Sequence, residues 1–229
     1  MLNLARRIGS NQHFSDTVLV LLVIAALAMG AEATPSIATN YADWIATILV
    51  VVQAAFVAEI TIRVAAYWPH PRNFFGRFWN CFDFVVVALS LLPMIGGLGL
   101  VARLFRLARL IRIVSVSGTL RSFTTGRTHG ISALISALMM IGLLWYVMAL
   151  AGFYLFAASS QGHWASMAGG LTQVGELLVF QDVSAAFTGI GVSASRSYLT
   201  VLYLAELAIF IEVVSHFLKG PRAAAGIPS

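Results

Sequence analysis

The sequence predicts an all-α membrane protein: four spanning helices, then two more with a shorter re-entrant helix between them. Three observations carry that expectation. Of 229 residues, 59% are hydrophobic and 10% charged, with a mean hydropathy of +0.89, whereas a soluble domain carries about a quarter charged residues. Six apolar runs, near residues 15–33, 41–67, 79–95, 98–117, 131–158 and 197–218, approach the roughly 20 residues a helix needs to cross about 30 Å of hydrocarbon. A seventh run, near 168–181, is too short to span and reads as a helix that enters and leaves by the same face.

The first run has two readings. Arg6 and Arg7, the apolar stretch Val18 to Ala31 and the triplet Ala31-Glu32-Ala33 have the layout of a signal peptide with its cleavage site. Asp16, placed where a helix N-cap belongs, and the five runs that follow favour a membrane helix. The second run contains FVAEITIR, in which Glu59 and Arg63 stand four residues apart and share one helix face. The third opens with FWNCFDF, bringing Asn80 and Asp83. Between the fourth and fifth, SVSGTLRSFTTGRTHG is polar and holds Gly118, Gly126 and Gly130, so it reads as a bendable linker. Beyond the sixth the chain is KGPRAAAGIPS, a polar tail with no apolar periodicity. The one cysteine, Cys81, rules out a disulfide within the chain.

Basic residues orient the helices. Arg6 and Arg7, Arg72 and Arg77, Arg121 and Arg127, and Lys219 and Arg222 fall on one side, while the opposite loops hold Glu32, Asp43, the uncharged PMIGGLGL and Arg196. By the positive-inside rule both termini are cytoplasmic. The net charge of +5 follows from this topology and from the fourth run. No basic patch interleaved with aromatics lies outside the membrane, so nucleic acid is not an expected partner. Nor is there a nucleophile elbow, a phosphate loop or a metal-spaced His/Cys cluster, so no enzyme activity, cofactor or metal is expected. The absence of an inverted repeat argues against a secondary transporter.

The fourth run, RLFRLARLIR, sets Arg103, Arg106, Arg109 and Arg112 at every third position among apolar residues. Steps of three residues rotate about 300° on an α-helix, so the arginines trace one slow stripe. A basic helix lying on the membrane surface would have a broad polar face, and here the other positions are all apolar. An arginine inside a membrane costs from about 2.5 to more than 10 kcal/mol, so each needs a partner or water. Glu59 and Asp83, at similar depth, form a station through which arginines can pass, and Glu32 stands at the outer end of the first run. A static ion-pair network is the plainer use of the same residues, but it has no need of four evenly spaced charges. Four charges crossing 100 mV would release about 9 kcal/mol, enough to drive a conformational switch. The stripe reads as a voltage sensor.

MGAEAT, FVAEITIR, FFGRFWNCFDFVVVALSLLP, RLFRLARLIRIVSV and ISALISALMM together resemble the bacterial voltage-gated sodium channels, a family of six-helix ion-transport proteins, over nearly the whole chain. The resemblance implies a voltage-sensor domain at 1–115, a cytoplasmic linker at 116–130 and a pore domain at 131–220, while the polar, glycine- and proline-bearing stretch 221–229 is expected from its composition to be a short disordered tail. It implies that Phe56, Glu59 and Asp83 form a gating charge transfer centre, an aromatic plug flanked by acids. It also implies a homotetramer in a bacterial inner membrane, embedded in the lipid bilayer, that passes monovalent cations, Na+ first.

In the pore the pattern departs from the family, which selects sodium with a glutamate inside a threonine, leucine, glutamate, serine, tryptophan run. This chain reads VGELLVFQDVSAAFTGI. Matching Phe180-Gln181 to the family's equivalent pair puts Ala186 at the glutamate position, whereas matching Gly189-Ile190 puts Ser184 there and Asp182 at the threonine position. The filter is therefore expected within Gln181, Asp182, Val183, Ser184, Ala185, Ala186 and Phe187, using backbone carbonyls, the Ser184 hydroxyl or an Asp182 ring. In the last run Glu206, Glu212 and His216 are candidates to line the conduit, since ionisable groups within a span are functional hypotheses by default.

Overall fold

The computed structural model describes residues 12–70, 72–91, 99–124, 131–158, 162–181 and 183–218. Every regular element among the described residues is helical, and the chain divides into two compact units, Met1–Val116 and Ser117–Ser229.

In the first unit α1 (Gln12–Glu32) packs on α2 (Pro35–Ala66) and on α5 (Gly99–Val116), and α4 (Phe78–Leu89) packs on α2 and α5, with the single turn α3 (Arg72–Phe75) against α4. These lengths follow local chemistry. Pro35 stands at the first turn of α2, where its missing N–H costs nothing. The helix therefore begins six residues before the expected 41, and Tyr41 instead marks a kink, with φ −128° and ψ 20°. The third span is shorter than its apolar run, because α4 stops at Leu89 and Ser90 caps it, its N–H bonded to the Val86 carbonyl. Pro93 follows three residues on, where a helix cannot simply continue.

Val18, Leu22 and Ala25 of α1, Val52, Phe56 and Ile60 of α2, and Val87 of α4 form the apolar core of this unit. Large apolar side chains such as Leu27, Trp44, Val50 and Val51 point outward, as a lipid-facing surface requires.

In the second unit α6 (Gly118–Thr124) packs on α7 (Ile131–Phe156), and α7 in turn packs on α8 (Met167–Leu178) and α10 (Val192–Leu218). The turn α9 (Val183–Ala186) lies against α8. At 12 residues, α8 is about 18 Å long and reaches only part-way across a bilayer. The sixth span begins at Val192 rather than 197, and along its first turns the Ser195, Ser197 and Thr200 hydroxyls bond back to the Val192, Ser193 and Arg196 carbonyls. By length and composition alone, Pro35–Ala66, Ile131–Phe156 and Val192–Ser215 qualify as membrane spans. The arginines of α5 lower its hydropathy.

Candidate functional site

The arginine stripe meets its acids inside the first unit. Arg112 is fully buried and extends between α2 and α4: its Nη2 lies 2.6 Å from Glu59 Oε2 and its Nε 3.2 Å from Asp83 Oδ1. Both carboxylates are themselves buried, at 4% and 2% exposure. Arg63, one turn beyond Glu59, contacts Glu59 Oε1 at 2.5 Å and Asp83 Oδ2 at 3.5 Å. Two cations and two anions thus form a neutral cluster, which is the condition for keeping such groups out of water.

Ser115 completes the cluster, its Oγ 2.9 Å from Asp83 Oδ1 and 2.9 Å from the Arg112 carbonyl. The Arg112 guanidinium lies 5.0 Å from the centroid of the Phe56 ring, within reach of a cation–π attraction. Along α2 the order is then Gln53, Phe56, Glu59, Arg63: a polar level, an aromatic level inside the apolar core, and the ion site.

Arg109, one step back along the stripe, occupies a different environment. It is 3% exposed and lines a cavity of about 600 Å³ together with Glu32, Ala46, Leu49, Gln53 and Ser90. Gln53 and Ser90 hydrogen-bond each other there, Nε2 to Oγ at 2.9 Å. Two successive arginines, about 4.5 Å apart along the axis, therefore sit at the two levels that flank Phe56. Arg103 and Arg106 lie on α5, and their side chains fall outside the described residues. Arg112, Glu59, Asp83 and Phe56, all candidates in the sequence, are thus brought together. Ser115 was not among those candidates, although it continues the three-residue spacing, because a serine in an apolar run carries no charge.

The second unit is built around Trp164. Its indole N–H donates to the Ala186 carbonyl at 2.7 Å, and its ring, wholly buried, packs with Phe156, Phe187 and Tyr198. Gly152 of α7 makes room, since a Cβ there would collide with the indole. Tyr198 of α10 donates from its hydroxyl to the Met148 carbonyl at 2.7 Å.

The short helix α8 is capped by Ser166, which accepts from Gly169 N. It ends in a Schellman turn: Phe180 N bonds to Leu177 O at 3.0 Å and Gln181 N to Glu176 O at 2.8 Å, with Phe180 at φ 56°. Glycine is usual in that left-handed position, and phenylalanine there carries strain. Its ring stacks on Tyr203 of α10, centroids 5.0 Å apart.

This turn leads into the stretch where the filter is expected. Val183, Ser184, Ala185 and Ala186 form a helical turn, and Val179 and Phe180, just after α8, are exposed. Ala186 is buried with its carbonyl held by Trp164, and the Phe187 ring packs inward on Phe156. The Ala185 carbonyl accepts from Thr188 N at 3.2 Å. The Ala185 and Ala186 carbonyls are thus engaged by Thr188 and by the indole. Gln181 and Ser184 are exposed, and Asp182 lies outside the described residues. On α10, Glu206 and Glu212 are half-buried, while the His216 side chain lies outside the described residues.

Fold and site define a multi-pass membrane protein in which a helix with repeated arginines is held by a buried carboxylate pair, ahead of a unit containing a half-length helix. The ion transport protein family matches residues 11–214, and the chain belongs to it. Membership makes it an ion-transport protein of the membrane rather than an enzyme. Among curated relatives, the muscle calcium channel subunit alpha-1 of Musca domestica is 24% identical over 175 residues, 65% of this chain and 10% of that protein. Sodium channel protein type 5 subunit alpha of Mus musculus is 30% identical over 105 residues, 44% of this chain and 5% of that one. The chain thus matches a tenth or less of the length of these relatives. NaChBac in a lipid nanodisc has a similar fold, with a TM-score of 0.51 at 24% identity, covering 93% of this chain and 96% of that one.

Proposed function

We propose that the chain is the subunit of a voltage-gated cation channel of the sodium/calcium type, conducting Na+ and opened by outward movement of α5. The observation that carries this reading is the arrangement of Arg109 and Arg112 at two polar levels flanking Phe56, with Arg112 held by Glu59 and Asp83. A helix whose next arginine stands one step away can exchange one for the other at the same carboxylates, moving charge across the apolar core without leaving either acid bare. Residues 1–115 act as the voltage sensor, with Arg103, Arg106, Arg109 and Arg112 as gating charges, and Glu32 stands at the outer end of their path. Residues 116–130 couple it to a pore at 131–220, of which Glu206, Glu212 and His216 line the conduit. Four copies surround one pore in a bacterial inner membrane, with both termini in the cytoplasm. Family membership over residues 11–214 supports this reading.

The test is current from the purified full chain in planar bilayers under voltage steps, with Na+, K+, Ca2+ and an impermeant cation exchanged in turn. Steep voltage dependence with a reversal potential that follows Na+ is expected. Charge movement without ionic current would instead assign a sensor with a silent pore, and flux without voltage dependence would overturn the proposal.

A further inference from the structure

We infer that Ser115 is the uncharged fifth rung of the arginine ladder and the positioning residue that fixes where the outward stroke of α5 ends, an inference that rests on the sensor reading above. Ser115 follows Arg112 by the same three-residue step that separates the arginines. It is buried, at 7% exposure, and its Oγ stands 2.9 Å from the same Asp83 oxygen that receives Arg112 Nε at 3.2 Å. Its single proton has two acceptors in reach, Asp83 Oδ1 and the Arg112 carbonyl, and the ionised one is the stronger.

The consequence is specific to this register. With α5 as observed, Asp83 is served by an arginine and a hydroxyl, and Glu59 by the same arginine. One step inward, Arg109 would come to the carboxylates and Arg112 would replace the hydroxyl. One step outward, Ser115 would stand where Arg112 is, and the next rung, Gly118, has no side chain. Glu59 and Asp83 would then share only Arg63, leaving a buried net negative charge, which is strongly disfavoured. The ladder therefore stops here because its fifth rung can hydrogen-bond Asp83 but cannot neutralise it.

The experiment is gating-charge measurement on the full chain in cell membranes, comparing wild type with S115A, S115T, S115R and the pair D83N and D83N/S115A. Losing a hydrogen bond to a charged acceptor changes the equilibrium about tenfold or more. S115A should thus move the charge–voltage midpoint in the depolarised direction with slope and total charge unchanged, and S115T should behave as wild type. S115A should add no further shift in the D83N background, which a merely structural loss would do. S115R should raise the total charge moved per sensor by permitting another step. If wild type moves charge but the S115A midpoint stays put, or its shift persists undiminished in D83N, the inference fails while the sensor reading stands. If wild type moves no charge, the sensor reading falls and this inference with it.

Discussion

Arg112 Nη2 and Glu59 Oε2 lie 2.6 Å apart across α5 and α2, with the first side chain wholly buried and the second 4% exposed. Isolation from water makes the pair asymmetric to mutation: the assembled cluster is neutral, but either carboxylate left alone is a buried charge. Arg112→Gln should cost about 3–5 kcal/mol of stability, read as a lower unfolding midpoint in detergent. Glu59→Gln with Arg112 intact should instead weaken the outward position of α5 and shift the charge–voltage midpoint in the depolarised direction. An Arg112→Gln protein as stable as wild type would show that the carboxylates have another route to neutrality.

Arg109 differs from Arg112 in lining the Glu32 and Gln53 cavity rather than the carboxylate pair. Neutralising it, or Arg106, should leave the fold intact and flatten the charge–voltage curve, the total charge falling by roughly a quarter if four arginines share the field equally. Voltage steps on the Arg109→Gln channel measure this directly. Unaltered steepness would contradict the role of the stripe.

Trp164 and Gly152 make a coupled pair in the second unit. Trp164→Phe keeps most of the buried ring but removes the donor to the Ala186 carbonyl, an expected loss of about 1–3 kcal/mol. Gly152→Ala drives a methyl into the indole, with overpacking that typically costs about 1–3 kcal/mol. A smaller side chain at 164 should relieve that clash, so Gly152→Ala should cost measurably less in a Trp164→Leu background than alone. Unfolding midpoints of the three variants and the wild type complete the cycle, and strict additivity would deny the contact.

The sequence was most legible where physics makes a residue expensive. Arginines and carboxylates inside apolar runs must find one another, so Glu59 and Asp83 were legible as a station for the arginine stripe from charge and depth, although which arginine occupies it, Arg112, was not. Trp164 lies in QGHWAS, with no periodicity to fix its direction, and its partner Ala186 is 22 residues away. The Tyr41 kink and the Phe180 turn also escaped notice, since neither residue advertises an irregular backbone as glycine would. In the filter, two registers fitted the letters equally well, and only backbone geometry distinguishes a helical turn at Val183–Ala186 from an extended loop.

The sequence offers both Asp182 and Ser184 as selecting groups. Ser184 belongs to the helical turn, with its carbonyl 3.4 Å from the Thr188 hydroxyl. Asp182 stands four residues after Leu178, the last residue of α8, in the sequence, and the C-terminal end of a helix carries partial negative charge that favours a bound cation. In a tetramer an Asp182 ring would add four carboxylates to that field, the arrangement by which acidic rings select cations. Asp182→Asn should therefore lower the preference for cations over anions, moving the reversal potential under a salt gradient toward zero. Ser184→Ala should leave it unchanged. The reverse pattern, a shift with Ser184→Ala and none with Asp182→Asn, would move the selecting group from Asp182 to the helical turn at Ser184.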